Sequence, residues 1–500
     1  MQKLKWQYKT DLEKAGLKVA KLLQHGLALT PSPRLGRVGA GGPFPEKRSH
    51  FQAFWVGGIV RNMLMKRESD NIDIATDATP EQIEKMLNQV KIKNTSVGKQ
   101  FGSILAIIHG FKIEITTFRA EGRYSDKRHP DAVEFIRDYL QDAKRRDFTI
   151  NALYFDPTTK ELSDPTIGIK DLGLKLLRFV GDPKKRIDED ALRMLRGVRL
   201  ATQLGFKLER NSFAAIKTRA KYIQGISGER VKAELDKILL SRNRADGIKL
   251  LDDIGLLKFI VPESQAIRVF SHKSKLYHLE GSIFDHTLLA LGKITEPNLD
   301  LIYAILFHDI GKPQKQQKVL KAEGWVISTK GHAATGASIF LAFANKFKFS
   351  KTSRDNTAWL IQNHMLMFEF CDMRPFKQLQ LAWHPMFLWL LRHFYYDEAA
   401  TKRKNYLDDH HKKYLRSLKI GKSLLQKIAD TKDLVRVLAK GDLIMKHSGL
   451  KPGRDLGSKI QEVKTQIVFG KIKTEANLKE YLSAKIAQEG LTNHSNTSTL

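Results

Sequence analysis

The stretch Val56–Pro80, VGGIVRNMLMKRESDNIDIATDATP, decides how this chain is read. An apolar run, Phe54-Trp55-Val56, enters the glycine pair Gly57-Gly58, and a helix-forming segment carrying Arg61 follows. Glycines at such a junction let a phosphate come close to the backbone. The short strand Asn71-Ile72-Asp73-Ile74 comes next. Residues two apart on a strand share a face, so Asn71 and Asp73 are expected to project side by side toward whatever the glycine loop binds. Two oxygen ligands at that spacing suit Mg2+-assisted phosphoryl transfer, although an amide in the first place lacks the unit charge that makes hard-cation binding tight. A third carboxylate, Glu114, sits in the alternating segment Lys112–Arg119 and is expected on a neighbouring strand.

Working outward, short β-rich runs (AFWVGG, NIDIA, SILAIIHG, KIEITTF, INALYF) alternate with helical segments between Phe51 and Phe155. Beyond them the period becomes helical, as in EDALRMLRGVRLATQLGF and RVKAELDKILLSR. The fold class is therefore α+β: a small mixed-sheet head followed by all-α regions. The expected divisions are an N-terminal helix (1–28), a flexible insertion (29–50), the head (51–160), a helical body (161–265), a helical region rich in His and aromatics (266–410) and a basic helical tail (411–500) ending in a disordered polar segment. The insertion holds four of the fifteen prolines and lacks apolar periodicity, which is why it reads as a surface excursion.

Net charge is +31 and the basic excess is spread along the chain, so the favoured partner is a polyanion, nucleic acid before a membrane surface. No apolar run reaches the length of a membrane span, and no secretory signal is evident. A single cysteine, Cys371, excludes an internal disulfide framework and fits a cytoplasmic setting.

A DxD-like pair alone is most often an ordinary surface feature. The order of blocks changes that. Gly57-Gly58-x-Val60-Arg61 with Asn71-x-Asp73-Ile74-Ala75-Thr76 is followed by Thr116-Thr117-Phe118-Arg119 with Tyr124, Asp126, Arg128, His129 and Pro130. Then come Arg145-Arg146-Asp147-Phe148-Thr149-Ile150-Asn151-Ala152, Gly181-Asp182-Pro183, Glu189-Asp190-Ala191-Leu192-Arg193-Met194-Leu195-Arg196 and Ser227-Gly228-Glu229-Arg230. This series resembles the class II nucleotidyltransferases, the family of bacterial CCA-adding enzymes and poly(A) polymerases. The resemblance implies that Asn71 and Asp73 hold Mg2+ with Glu114 beside them. It further implies that Gly57, Gly58 and Arg61 cradle a triphosphate, and that Arg119, Arg146, Asp147, Asn151, Asp190, Arg193 and Arg196 contact the nucleotide. In that family an Asp-Arg pair templates CTP and then ATP onto the tRNA 3′ end. Helical i, i+3 geometry is expected to put Asp190 and Arg193 on one face. The family's first metal aspartate falls on Asn71, and the aspartate after its Val-Arg falls on Asn62. Gly98-Lys99-Gln100-Phe101-Gly102-Ser103-Ile104 is closer to the pattern of CCA enzymes than to the Gly-Arg-Arg-Phe-Arg run of poly(A) polymerases.

A second constellation lies in the third region: Phe284-Asp285-His286, His308-Asp309-Ile310-Gly311-Lys312-Pro313, Gly331-His332, His364-Met365 and Tyr396-Asp397. It is similar to the HD metal-dependent phosphohydrolases, which implies a site of His286, His308, Asp309, His332, His364 and Asp397. Imidazoles and carboxylates suit Mn2+, Ni2+, Co2+ or Fe2+, and two such ions activate a hydrolytic water. In the tail, Pro452-Gly453 opening a helix in basic surroundings is expected to meet the tRNA backbone.

The expectation is a cytoplasmic CTP(ATP):tRNA nucleotidyltransferase, monomeric or homodimeric, with a second HD phosphohydrolase activity. The alternatives are a poly(A) polymerase and an RNA-binding HD phosphohydrolase with an impaired head.

Overall fold

The computed structural model describes residues 1–25, 50–121, 133–270, 281–321, 324–402 and 409–495. Residues 29–49 of the Pro/Gly-rich segment, the Tyr124–Pro130 segment and the last five residues lie outside this set. The chain forms two compact units, Met1–Pro262 and Glu263–Leu500. Among the described residues no helix is long and apolar enough to cross a membrane.

Ten strands organise the first unit: β1 (Gln2–Lys3), β2 (Ala53–Val56), β3 (Ile72–Thr76), β4 (Lys93–Gly98), β5 (Ser103–Ile108), β6 (Phe111–Thr117), β7 (Arg119–Glu121), β8 (Val133–Phe135), β9 (Tyr154–Asp156) and β10 (Glu161–Ser163). Eight of them make one mixed sheet in the order β1-β10-β9-β2-β3-β6-β5-β4, and β7 pairs with β8 apart from it. All neighbours in the sheet are antiparallel except β3 and β6. A parallel pair needs a crossover, and here it is supplied by the helix Pro80–Gln89 followed by β4 and β5. That helix opens on Thr79 with a complete capping box, the Thr79 and Gln82 side chains each accepting from the other's backbone N–H.

Alternation then sorts the sheet's two faces. Ile72, Ile74, Ile113 and Ile115 join Trp55, Val19 and Leu23 in the main core, while Asp73 and Glu114, one residue out of step, face the other way. The N-terminal helix Asp11–His25 closes the core side. It comes close because Gly16 has no side chain: a Cβ there would lie 2.5 Å from Ile72 Cδ1 and 3.2 Å from Trp55. Beyond the sheet the unit is helical, and a short parallel pair, Leu176–Leu177 with Lys207–Leu208, ties its first segments together.

Among its described residues the second unit departs from the all-α expectation at one place. Gln317–Lys321 and Gly324–Ser328 form an antiparallel hairpin, inserted where lysines and β-branched residues interrupt the helical period. Otherwise it is built of helices. One core is aromatic, with Tyr303, Phe307, Phe340, Phe343 and Phe349 in mutual ring contact. Another core gathers Leu438, Ile444, Val463, Ile467 and Leu478 in the tail helices.

Because Ile72 lies next to Asp73, Gly16 controls the strand that carries the site. Gly16→Val is expected to destabilise the first unit by roughly 1–3 kcal/mol through overpacking. Denaturant unfolding followed by tryptophan fluorescence checks this, and an unchanged midpoint would mean the close approach is not tight.

Candidate active site and metal centre

One row of register partners crosses the sheet on the face away from the core: Tyr154 on β9, Val56 on β2, Asp73 on β3, Glu114 on β6 and Leu105 on β5. It brings the Asp73 and Glu114 carboxylates to adjacent strands. Burial, and then the Glu114 charge, push Asp73 up to about 6, against the opposing pull of Arg146 and Arg196. Two adjacent carboxylates in this state are relieved by a cation. Asn71, exposed just before β3, donates its amide to Asp73 Oδ1 at 3.3 Å. The donor set therefore fits a divalent ion held by two carboxylates and one neutral side chain.

Gly57 starts the next helix with φ +71°, and a Cβ there would lie 3.4 Å from Asp73 Oδ2. The glycine thus keeps the loop against the carboxylate. From that helix Arg61 reaches Asn151 Oδ1 (2.7 Å) and Asn62 Oδ1 (2.9 and 3.1 Å). Asn151 donates to Asp147 Oδ1 at 3.3 Å, and Asp147 pairs with Arg196 at 2.6 Å. Burial lowers Arg61 to about 10, opposed by the Asp147 charge, so the guanidinium stays charged at neutral pH. Asn62, where the family pattern has an aspartate, holds Arg61 by a neutral acceptor.

Asp142 was not singled out from the sequence, yet it is fully buried among the arginines. It accepts from Arg145 Nε (2.7 Å), Arg146 Nη2 (3.0 Å), the Tyr154 hydroxyl (2.5 Å) and the Arg119 backbone N–H (3.3 Å). Burial alone would raise its pKa, but Arg146 and Arg145 hold it down at about 2. Its one visible signal was its position three and four residues before Arg145 and Arg146. The Arg119 guanidinium donates to the Phe101 carbonyl.

The expected shared helical face of Asp190 and Arg193 is corrected by the structure. The helix Pro183–Glu189 ends at Asp190, whose backbone is extended, and a new helix runs Leu192–Leu204. The cause is local: Asp190 Oδ1 accepts the Leu192 N–H at 3.1 Å, which competes with continuation of the helix. Arg193 pairs instead with Glu189 at 2.5 Å, and Asp190 pairs with Arg230 at 3.2 Å.

In the second unit the six sequence-selected side chains come together. His286 Nε2 lies 2.7 Å from Asp397 Oδ1. His308 Nε2 lies 3.3 Å from Asp309 Oδ2 and 3.5 Å from Asp397 Oδ1. His332 Nε2 is 3.3 Å and His364 Nε2 4.0 Å from Asp309 Oδ1. Two ligand triads result, His286-His308-Asp309 and Asp309-His332-His364, sharing Asp309. The Nδ1 atoms of His308, His332 and His364 each meet a carbonyl, those of Ile305, Thr329 and Ile361, at 2.7–3.0 Å. A carbonyl only accepts, so Nδ1 carries the proton in these bonds and the Nε2 atoms are aimed inward. His332 Nε2 and His364 Nε2 lie 3.2 Å apart, and burial keeps His364 well below its ordinary pKa. Two imidazole nitrogens facing each other in this way fit a shared cation. Burial opposes charge on His308, but Asp309 and Asp397 push it up to about 10, a demand for positive charge at this centre. His393, a buried side chain the sequence did not single out, meets the His308 ring edge to face at 5.3 Å and lies tilted against the His364 ring at 5.6 Å.

Comparison with known proteins places these features. Residues 53–178 match the poly A polymerase head domain family, and residues 205–267 match the family described as "Probable RNA and SrmB-binding site of polymerase A". A CCA-adding enzyme of Ligilactobacillus salivarius is 42% identical over 219 residues, 43% of this chain and 53% of its own length. One from Bacillus pumilus is 35% identical over 281 residues, 56% of this chain and 64% of its own. The chain spans about half the length of the curated relatives it matches first. In fold, the chain is similar to the Bacillus stearothermophilus CCA-adding enzyme in complex with CTP, with TM-score 0.64, 21% identity, and coverage of 97% of this chain and 100% of that one. It is also similar to the Thermotoga maritima CCA-adding enzyme complexed with tRNA, with TM-score 0.56, 16% identity, and coverage of 96% of each.

Two outcomes follow from the geometry. Asn71→Asp adds a third negative charge beside Asp73 and is expected to tighten Mn2+ binding at the head on the order of tenfold, read by electron paramagnetic resonance; unchanged affinity would remove Asn71 from the ligand set. Asp309→Ala takes the shared carboxylate from both triads and is expected to abolish Mn2+ uptake by the second unit, measured by elemental analysis after loading, with Mn2+ binding at the head intact. Unchanged Mn2+ uptake would contradict the shared-ligand arrangement.

Proposed function

We propose that this member of the poly A polymerase head-domain family is a template-independent CTP(ATP):tRNA nucleotidyltransferase that adds or repairs the tRNA 3′-CCA end. The observation that carries the reading is the Asp73–Glu114 pairing on the open sheet face, beside a glycine loop and the half-buried Arg61, in a chain whose relatives are CCA-adding enzymes. Asp73 and Glu114, with Asn71, would hold Mg2+, which when bound offsets the charge on the transferring phosphoryl group. Gly57, Gly58 and Arg61 receive the triphosphate. Asp147 and Asn151 hold Arg61 and Arg196 in place, and Asp142 does the same for Arg145 and Arg146. We assign base recognition to Asp190 and Arg193, each set by its own partner, Arg230 and Glu189. Fixing both side chains before the nucleotide arrives lowers the ordering cost of recognition. The basic helical body and tail (161–265 and 411–500) are the regions we assign to tRNA, gripped through its phosphates and shape.

A second activity is supported by the two triads. His286, His308, Asp309, His332, His364 and Asp397 would hold a pair of transition ions such as Mn2+, Ni2+ or Co2+, which when bound activate water for phosphoester hydrolysis. Asp309 sits between the triads, and Lys312 pairs with it at 2.6 Å. The region 266–410 is accordingly read as an HD phosphohydrolase domain acting on phosphate-bearing RNA ends.

Incubating the full chain with tRNA lacking CCA and labelled CTP or ATP tests the main reading. Two C residues followed by one A are expected. Long A tails would make it a poly(A) polymerase, and no incorporation alongside intact cyclic-phosphate hydrolysis would mean an impaired head.

A further inference from the structure

Asp397 shares the helix Phe387–Ala400 with His393, four residues earlier. Residues at that spacing lie on one helical face, the arrangement by which a single helix gives two ligands to one metal centre. This helix packs against the three that lead to the other histidines. They are Ile283–Lys293, which carries His286, Leu299–Phe307, which ends at His308, and Lys351–Asn363, which ends at His364.

The His393 ring lies 5.3 Å from that of His308 and 5.6 Å from that of His364. The histidines of the two triads stand at the same spacing from one another: 5.6 Å for His286 and His308, 5.3 Å for His308 and His364, 5.2 Å for His332 and His364. His393 thus meets one histidine from each triad. Ring packing alone produces such separations, so the nitrogens decide. His393 is fully buried, and neither Nδ1 nor Nε2 has a hydrogen-bond partner among the described residues. The Ala304 carbonyl acts on the ring, but without the geometry of a hydrogen bond. A histidine placed for packing leaves two buried polar atoms unsatisfied where a phenylalanine leaves none, and such orphans in a core call for a partner. His308 Nε2, the nitrogen aimed at Asp309 and Asp397, is also without a hydrogen bond. Burial keeps the His393 ring neutral, with its pKa lowered to about 4, and a neutral imidazole has one nitrogen lone pair to give.

We propose that His393 is a seventh protein ligand of the second unit's metal centre, set between the two triads beside His308 and His364. The proposal rests on the metal reading of that centre and adds a fifth imidazole to its two carboxylates, a donor set that suits Ni2+. Like Asp397, His393 belongs to neither triad as the side chains stand, so ligation requires its ring to turn about its own side-chain torsions.

The test uses the full chain carrying Asp73→Ala, so that the second unit is read without the head, with Asp309→Ala added as the blank. Ni2+ binding is measured by isothermal titration calorimetry and Co2+ binding by absorption spectroscopy. His393→Phe keeps a ring without its nitrogens and should weaken Ni2+ binding about tenfold or more. His393→Cys puts a thiolate donor at the same position and should give, on Co2+ loading, a sulfur-to-metal charge-transfer band that the parent lacks. Unchanged Ni2+ affinity in His393→Phe would overturn the proposal. So would a Co2+-loaded His393→Cys without the band, even beside a weakened His393→Phe, because the ring would then act only as a support. Where thermal unfolding shows that His393→Phe does not fold, the His393→Cys spectrum decides alone. If the parent takes up no more Ni2+ than the blank, the metal reading itself fails, and the seventh ligand with it.

Discussion

The parallel pairing of β3 with β6 sets Asp73 directly beside Glu114, and much of the first unit exists to hold that arrangement. Like charges on adjacent strands repel, and part burial adds to the cost, as the raised pKa of Asp73 records. The pair persists because the other face of the same strands is fully committed to the core through Ile72, Ile74, Ile113 and Ile115. A slip of one residue would expose those four side chains and bury the two acids. The register that builds the core therefore also builds the carboxylate pair, and a cation bound there would relieve the repulsion that register creates.

Around this pair the arginines are arranged by buried acids and half-buried amides. Asp142 holds Arg145 and Arg146, Asp147 holds Arg196, and Asn151 and Asn62 hold Arg61. Guanidiniums fixed in this way present their remaining donors without the entropy loss of long free side chains. The same logic recurs in the second unit, where backbone carbonyls orient His308, His332 and His364 so that Nε2 atoms converge on Asp309. In both places the side chains are oriented by hydrogen-bonded partners.

The strands of the head were legible because alternation in KIEITTF and NIDIA is strict, and the glycine pair marked the loop. The clustering of His286, His308, Asp309, His332, His364 and Asp397 was legible because imidazoles and acids recur in a recognisable order. Asp142 was hidden because an acid three residues before an arginine looks like any surface helix pair; only the fold brings the Tyr154 hydroxyl and the Arg119 N–H onto it and buries it. Asp190 misled for the opposite reason. Its spacing to Arg193 fits a helix, but its own side chain caps the next one and breaks the turn. The hairpin was missed because Gln317-Lys318-Val319-Leu320-Lys321 does not alternate apolar with polar positions and so shows no strand period to read.

The most direct test of the account is the rate of CMP incorporation into tRNA lacking CCA, compared among the parent chain, Asp73→Ala and Asp309→Ala. Loss on the order of a hundredfold or more in Asp73→Ala, with incorporation by Asp309→Ala close to the parent, is the predicted result. An Asp73→Ala protein that incorporates CMP at the parent rate would contradict it, because the carboxylate pair at the centre of the sheet would then have no part in the transfer.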